Sequence, residues 1–114
     1  MKYMLQVRFN GADTVIGRLP AGEQQKVTAE FQAIRQFPGV LDGNQLAAAG
    51  TAATVRVNDG KTQVTDGPAV GAGTALDGYY IYDAPDLGAA ITFAARIPVA
   101  RMGGTVEVRA MVER

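Results

Sequence analysis

Two segments near opposite ends of the chain, MKYMLQVRF at residues 1–9 and GTVEVRAMV at 104–112, alternate apolar and polar residues almost without a break. In the first, Tyr3, Leu5, Val7 and Phe9 share one side, and Met4, Gln6 and Arg8 the other. In the last, Val106, Val108, Ala110 and Val112 oppose Thr105, Glu107, Arg109 and Met111. A period of two sends successive side chains to opposite faces of a sheet, so each segment is a strand with one core face and one wetter face. What lies between them decides how that core face is covered.

After the breaker-rich loop NGADTVIGRLPAG, the chain reads as a helix from about Glu23 to Phe37. Val27, Phe31, Ile34 and Phe37 recur at helical spacing, Gln24, Gln25, Lys26 and Arg35 lie largely elsewhere, and Pro38-Gly39 stops the helix. VLDGNQLAAAG reads as a short strand with a loop. In ATVRVNDGKTQVTD, Asn58-Asp59-Gly60 sits between alternating runs and marks a hairpin. A tyrosine-rich strand follows at about 77–83. A second helix begins near Pro85, with Asp83 as its cap, Asp86 at its positive end and Leu87, Ala90, Ile91 and Ala94 as its apolar stripe. The order is β-α-β, a hairpin, then β-α-β. It predicts an α+β fold: a ferredoxin-like antiparallel sheet with two helices on one face and an extra β-hairpin, in one domain over residues 1–114.

The composition excludes several function classes. Eleven basic and eleven acidic residues cancel, leaving no electrostatic footprint for nucleic acid or anionic lipid. The chain has no cysteine and no histidine, which removes thiolate nucleophiles, imidazole ligands and the usual general base near neutral pH. No acidic cluster resembles a calcium loop, so neither a metal nor another cofactor is expected. The first residues lack the apolar core of a signal peptide and no segment could span a bilayer; a cytoplasmic protein is the expectation.

If helices cover one sheet face, the other is wet, holds a ligand or meets another subunit. Alternation places Gln6, Arg8, Glu107 and Arg109 on it. On the tyrosine strand Ile81 is expected to meet the helices, which turns Tyr80 and Tyr82 to the open face. Arg8, Glu107 and Arg109 then read either as solvated cross-strand ion pairs or as a cleft in which an arginine holds a small anion and Glu107 accepts a proton. Tyr80 reads as interface filler or as a donor to a developing oxyanion. Further along, QVTDGPAVGAGTALDGYYIYD interrupts two strands with a turn tripeptide and a loop of small residues. Asp66 can bond the amides of its own turn and Pro68 fixes a backbone dihedral, or Asp66, Gly67 and Pro68 form a pocket wall with Asp66 as a proton shuttle. The small residues from Ala69 to Ala75 leave room for a ligand or a partner chain, or form a mobile loop.

MKYMLQVRF, ATVRVNDGKTQVTDGP, LDGYYIYDAPDLGAAITFAARIP and GGTVEVRAM, in that order, resemble the YCII-related proteins, and more closely the subgroup named for its Asp-Gly-Pro-Phe motif, the DGPF-domain proteins. The resemblance implies a ferredoxin-like fold related to the dimeric α+β barrels, a homodimer, and a bacterial source, with many members encoded near extracytoplasmic-function sigma factors. Some relatives are thought to use a histidine-aspartate pair in a cleft between subunits, and a few act in dehalogenation or ring cleavage. Asp66, Gly67 and Pro68 match the first three motif positions, whereas Ala69 stands where the family has phenylalanine. With no histidine, that acid-base pair cannot be inherited. The expectation is therefore a dimeric protein that binds a small anionic ligand through Arg8, Gly67, Pro68, Tyr80 or Arg109, with catalysis by Asp66 or Glu107 as the alternative.

Overall fold

A computed structural model describes residues 1–9, 12–70 and 75–113. Four strands form one antiparallel sheet: β1 (Lys2–Arg8), β2 (Val40–Gln45), β5 (Leu76–Asp83) and β6 (Thr105–Ala110), in the order β2-β5-β1-β6. The remaining two, β3 (Ala53–Asn58) and β4 (Lys61–Asp66), pair only with each other, as the predicted hairpin. Both positions of the two-residue turn, Asp59 and Gly60, have positive φ, the twist that suits a tight hairpin. The crossover from β1 to β2 leaves one slot in the sheet, and β5 fills it on returning from the hairpin. That interleaving is the split β-α-β arrangement of the ferredoxin-like fold.

The helices are α1 (Ala12–Gly17), α2 (Ala21–Arg35) and α3 (Leu87–Ala94). The first was expected to be loop, and α2 begins two residues earlier than its periodicity suggested. Pro20 at the N-cap of α2 explains the earlier start, because a proline before the first turn costs no intrahelical hydrogen bond. Past α2, Gly39 adopts φ +99, which turns the chain into β2. At α3 the cap is Asp86, whose carboxylate accepts from the Ala89 N–H at 2.8 Å; Asp83 is not the cap, and the helix starts at Leu87.

The core lies between the sheet and the helices. Tyr3, Leu5 and Val7 of β1 point into it, with Val27 and Ile34 of α2 and Ala90, Phe93 and Ala94 of α3. The stripe expected on α3 is half wrong: Leu87 and Ile91 are 50% and 53% exposed, and Phe93 faces inward instead. Ala90 and Ala94 keep their expected inward places, so the buried stripe is displaced by only part of a turn, toward Phe93 and away from Leu87 and Ile91. The correction on β5 is larger. Tyr80 and Tyr82 face the helices and are each only 8% exposed, while Tyr79 and Ile81 lie on the other side.

Both rings lie over glycines of β2 or its entry. A Cβ added at Gly43 would stand 2.5 Å from a Tyr80 ring carbon, and one at Gly39 would stand 2.9 Å from Tyr82. Tyr82 in turn stacks on Phe93, with centroids 4.1 Å apart and planes at 10°. Phe37 tilts against Phe93 at 5.2 Å, and the Arg96 guanidinium sits 4.8 Å above the Phe37 ring. The molecule is flat, 50 × 41 × 19 Å, with a radius of gyration of 16.0 Å, against about 13–14 Å for a compact domain of this length.

Phe93→Ala removes the ring on which this cluster converges. Truncating a buried phenylalanine costs about 3–5 kcal/mol, much of the stability of a domain this size. The urea midpoint of Phe93→Ala should fall accordingly, whereas Ile91→Ala, on the exposed side of α3, should leave it within about 0.5 kcal/mol of wild type.

Candidate functional site

Along the helix-facing side of β5, alternate residues read Tyr82, Tyr80, Gly78. Where the row of rings stops at Gly78, the layer between sheet and helices is left unfilled. A cavity of about 360 Å³ opens there. Val27, Thr28, Phe31 and Arg35 of α2 form its roof, and Val7, Gly43, Gly78 and Tyr80 belong to the sheet side; Ile16 and Val99 also border it. Val27, Phe31 and Arg35 are four residues apart, so one stripe of α2 carries two apolar walls and a cation. Arg35 is exposed, which puts it at the mouth.

Of the polar groups on this cleft, which also include Thr28, Gln32 and Asp77, two have the strongest bearing on its chemistry. Among the described residues, the Tyr80 hydroxyl makes no hydrogen bond and Arg35 no ion pair. Burial raises the Tyr80 phenol above its ordinary value, and the nearby positive charge of Arg35 partly offsets that. At neutral pH the hydroxyl therefore keeps its proton and acts as a donor. An apolar cavity with a few convergent polar groups and a perturbed acid is the usual form of a small-molecule site.

The open face differs. Arg8 donates to Gln6 Oε1 at 3.0 Å and stands 4.0 Å from Glu107. Tyr79 donates to Asp42 Oδ2 at 3.1 Å and accepts from Asn44 at 3.0 Å. Glu107 and Arg109 are exposed. The cross-strand arrangement read from the sequence thus brings Arg8 and Glu107 together, but Tyr80 stands on the opposite side of the sheet from both.

Asp66 is exposed at the end of β4, and its carboxylate has no hydrogen-bond partner among the described residues. The turn it was expected to close is held by other groups. The Gly67 N–H donates to Ala52 O at 2.7 Å, and the Thr54 hydroxyl donates to Gly67 O at 2.8 Å. Gly67 has φ +97, a conformation that suits glycine. Pro68 and Arg8 do share a second, wider-mouthed hollow of about 470 Å³, between Leu46, Thr54, Val70 and Leu76. The small-residue stretch Ala69–Ala75 falls, at 71–74, outside the described residues.

Reasoning from sequence missed Arg35, Phe31, Gly43 and Gly78 as site residues. Arg35 was grouped with the polar side of α2, although its spacing of four from Phe31 and eight from Val27 was the available signal. Nothing in the sequence pairs Gly43 with Tyr80, since that contact depends on strand register. Among the described residues, no group of three His, Cys, Asp or Glu is placed to hold a metal ion, and no helix is long and apolar enough to cross a membrane.

The model of the YCII-related domain matches residues 1–113. No curated protein matches the chain. Among solved structures, a 5-chloro-2-hydroxyhydroquinone dehydrochlorinase from Burkholderia phenoliruptrix, in complex with 2,5-dihydroxybenzoquinone, has a similar fold. The TM-score is 0.50 at 11% identity, over 100% of this chain and 96% of that one.

Because the folded state holds the Tyr80 proton more tightly than the unfolded chain, the unfolded state binds fewer protons once pH passes its tyrosine value near 10. Stability contributed by the neutral phenol is complete below that pH and is lost as pH rises toward the higher folded-state value. The urea midpoint of wild type should thus fall more steeply above pH ~10 than that of Tyr80→Phe. In Arg35→Gln, tyrosinate absorbance should show Tyr80 titrating higher still, because the charge that lowers it is gone.

Proposed function

The chain belongs to the YCII-related family, and we propose that it is a small-molecule-binding protein whose ligand enters the cleft between α2 and the sheet. The observation that carries this reading is the 360 Å³ cavity bordered by Val27, Phe31 and Tyr80, with Arg35 at its mouth. Its volume lies at the small end of the range of about 300–1,000 Å³ typical of ligand pockets, which suits a compact molecule. The fold neighbour was captured with 2,5-dihydroxybenzoquinone, so a small ring is compatible with this architecture; at 11% identity the likeness carries the fold and not that enzyme's chemistry.

The working unit in this reading is a homodimer. The hairpin supports it: Val55, Val57 and Val64 share one side and are 59%, 63% and 63% exposed. A two-stranded hairpin is marginal in water by itself, and an apolar side of this kind calls for cover. The thinness of the molecule, 19 Å in its short dimension, points the same way.

A second reading places the ligand on the open side, in the hollow that Arg8 shares with Pro68, next to Gly67 in the chain; Arg109, opposite Met4 in the register, does not border it. Catalysis by Asp66 or Glu107 has less support, since both carboxylates are exposed and neither borders either of the two cavities described above.

Thermal shift against small carboxylates and phenols separates the two sites. Thr28→Trp, exposed on the cleft side of α2, should plug the mouth and abolish stabilisation by any hit, while Arg8→Ala should leave it intact. The reverse pattern would move the site to the open side. Light scattering should give twice the chain mass, and Val57→Lys should return the monomer; a wild-type monomer would remove the dimer from this reading.

A further inference from the structure

The cleft has a polarity that its walls alone do not require. Val27 and Phe31 on α2 face a sheet surface in which Gly43 and Gly78 carry no side chain, so the slot is flat where the ligand would lie. Among the groups that border it without a protein partner, the Tyr80 hydroxyl can donate or accept and the Arg35 guanidinium can only donate. Asp77 also borders the cleft, but it already interacts with another group, which leaves Arg35 as the charge to meet a ligand. A cation beside a low-dielectric cavity favours an anion inside it. Gly43 adds a geometric condition: with a Cβ there, a Tyr80 ring carbon would be 2.5 Å away, so the ring that presents the hydroxyl can lie where it does only because position 43 is glycine.

Resting on the small-molecule reading above, we infer that the ligand is a planar ring carboxylate, its ring in the slot between Phe31 and the glycine floor and its carboxylate shared by Arg35 and the Tyr80 hydroxyl. Arginine presents parallel N–H donors that fit a carboxylate. The phenol supplies a hydrogen bond from inside the apolar wall, orienting the acid group toward the mouth. Its proton stays in place at neutral pH because burial disfavours the phenolate.

The test uses the full chain and three probes: benzoate, its neutral isostere benzamide, and the non-planar cyclohexanecarboxylate. Affinities come from calorimetry, and the site from amide chemical shifts in nitrogen-15 spectra. Benzoate should bind roughly ten-fold or more tighter than either other probe, as expected for a charge-assisted hydrogen bond in a low-dielectric site. The largest shifts should fall on Val27, Phe31, Gly78 and Tyr80. Arg35→Gln should reduce benzoate to the level of benzamide without changing benzamide, and Arg35→Lys should recover part of the difference. Tyr80→Phe, nearly isosteric, should weaken benzoate several-fold while the spectrum remains that of the folded protein. Gly43→Ala should weaken benzoate by displacing the Tyr80 ring.

Equal binding of benzoate and benzamide, or an Arg35→Gln variant that binds benzoate as wild type does, would overturn the carboxylate assignment while leaving the cleft as the binding site. Tight binding of cyclohexanecarboxylate would overturn the planar-ring requirement. Shifts confined to Arg8, Leu46 and Pro68, or no shift in the cleft with any probe, would overturn both this inference and the reading on which it rests.

Discussion

The stack of Tyr82 on Phe93 joins the sheet to α3 and sets the spacing of the helix-facing layer. Phe37, just past the end of α2, leans on the same Phe93 ring, so three separate segments of chain meet at one aromatic cluster. Offset or stacked aromatic contacts add about 0.5–1.5 kcal/mol beyond the area they bury, but their geometric consequence matters more. The rings can lie flat only because Gly39 and Gly43 stand beneath Tyr82 and Tyr80. Large rings over glycines are a known way to pack an edge strand that would otherwise be thin.

The cleft follows from the same row. Tyr82 and Tyr80 fill the space between sheet and helices at one end, and Gly78 leaves it empty at the other, while Val27 and Phe31 of α2 continue overhead. Close packing normally removes voids of this size; here it cannot, because no side chain exists on that part of β5. A cavity made by the omission of side chains has apolar walls at Val7, Val27, Phe31 and Val99, with Tyr80, Arg35 and several further polar residues, Gln32 and Asp77 among them, on its border.

The two faces of the sheet divide the polar work differently. On the open face Arg8, Gln6, Glu107, Tyr79, Asp42 and Asn44 satisfy one another, and exposed pairs of that kind contribute about 0–1 kcal/mol. On the helix side the Tyr80 hydroxyl and the Arg35 guanidinium border the cleft without such a partner among the described residues. An unmet donor in a low-dielectric cleft can gain far more from a ligand than an already paired one on a wet surface. That difference is why the helix side, and not the face carrying most of the charge, has the stronger claim to the site.

The strand periodicity of residues 2–9 and 104–110, the hairpin turn at Asp59-Gly60 and the helical spacing of Val27, Phe31 and Ile34 were all legible in the sequence, and with them the α+β architecture. These signals are local: each depends on which residues lie two, three or four apart. The direction of Tyr80 was not legible. Alternation pairs it with Tyr82 against Tyr79 and Ile81, but only strand pairing and the glycines opposite decide which pair enters the core. Ile81 was the more apolar choice, yet the inward side of β5 faces Gly39 and Gly43, where large rings fit. The sequence by itself determined the elements and the two sides of each; tertiary structure decided which side became interior, and so put Arg35 beside Tyr80. Those two residues are forty-five positions apart, and no local period can report a contact that exists only after a helix has been laid across a sheet.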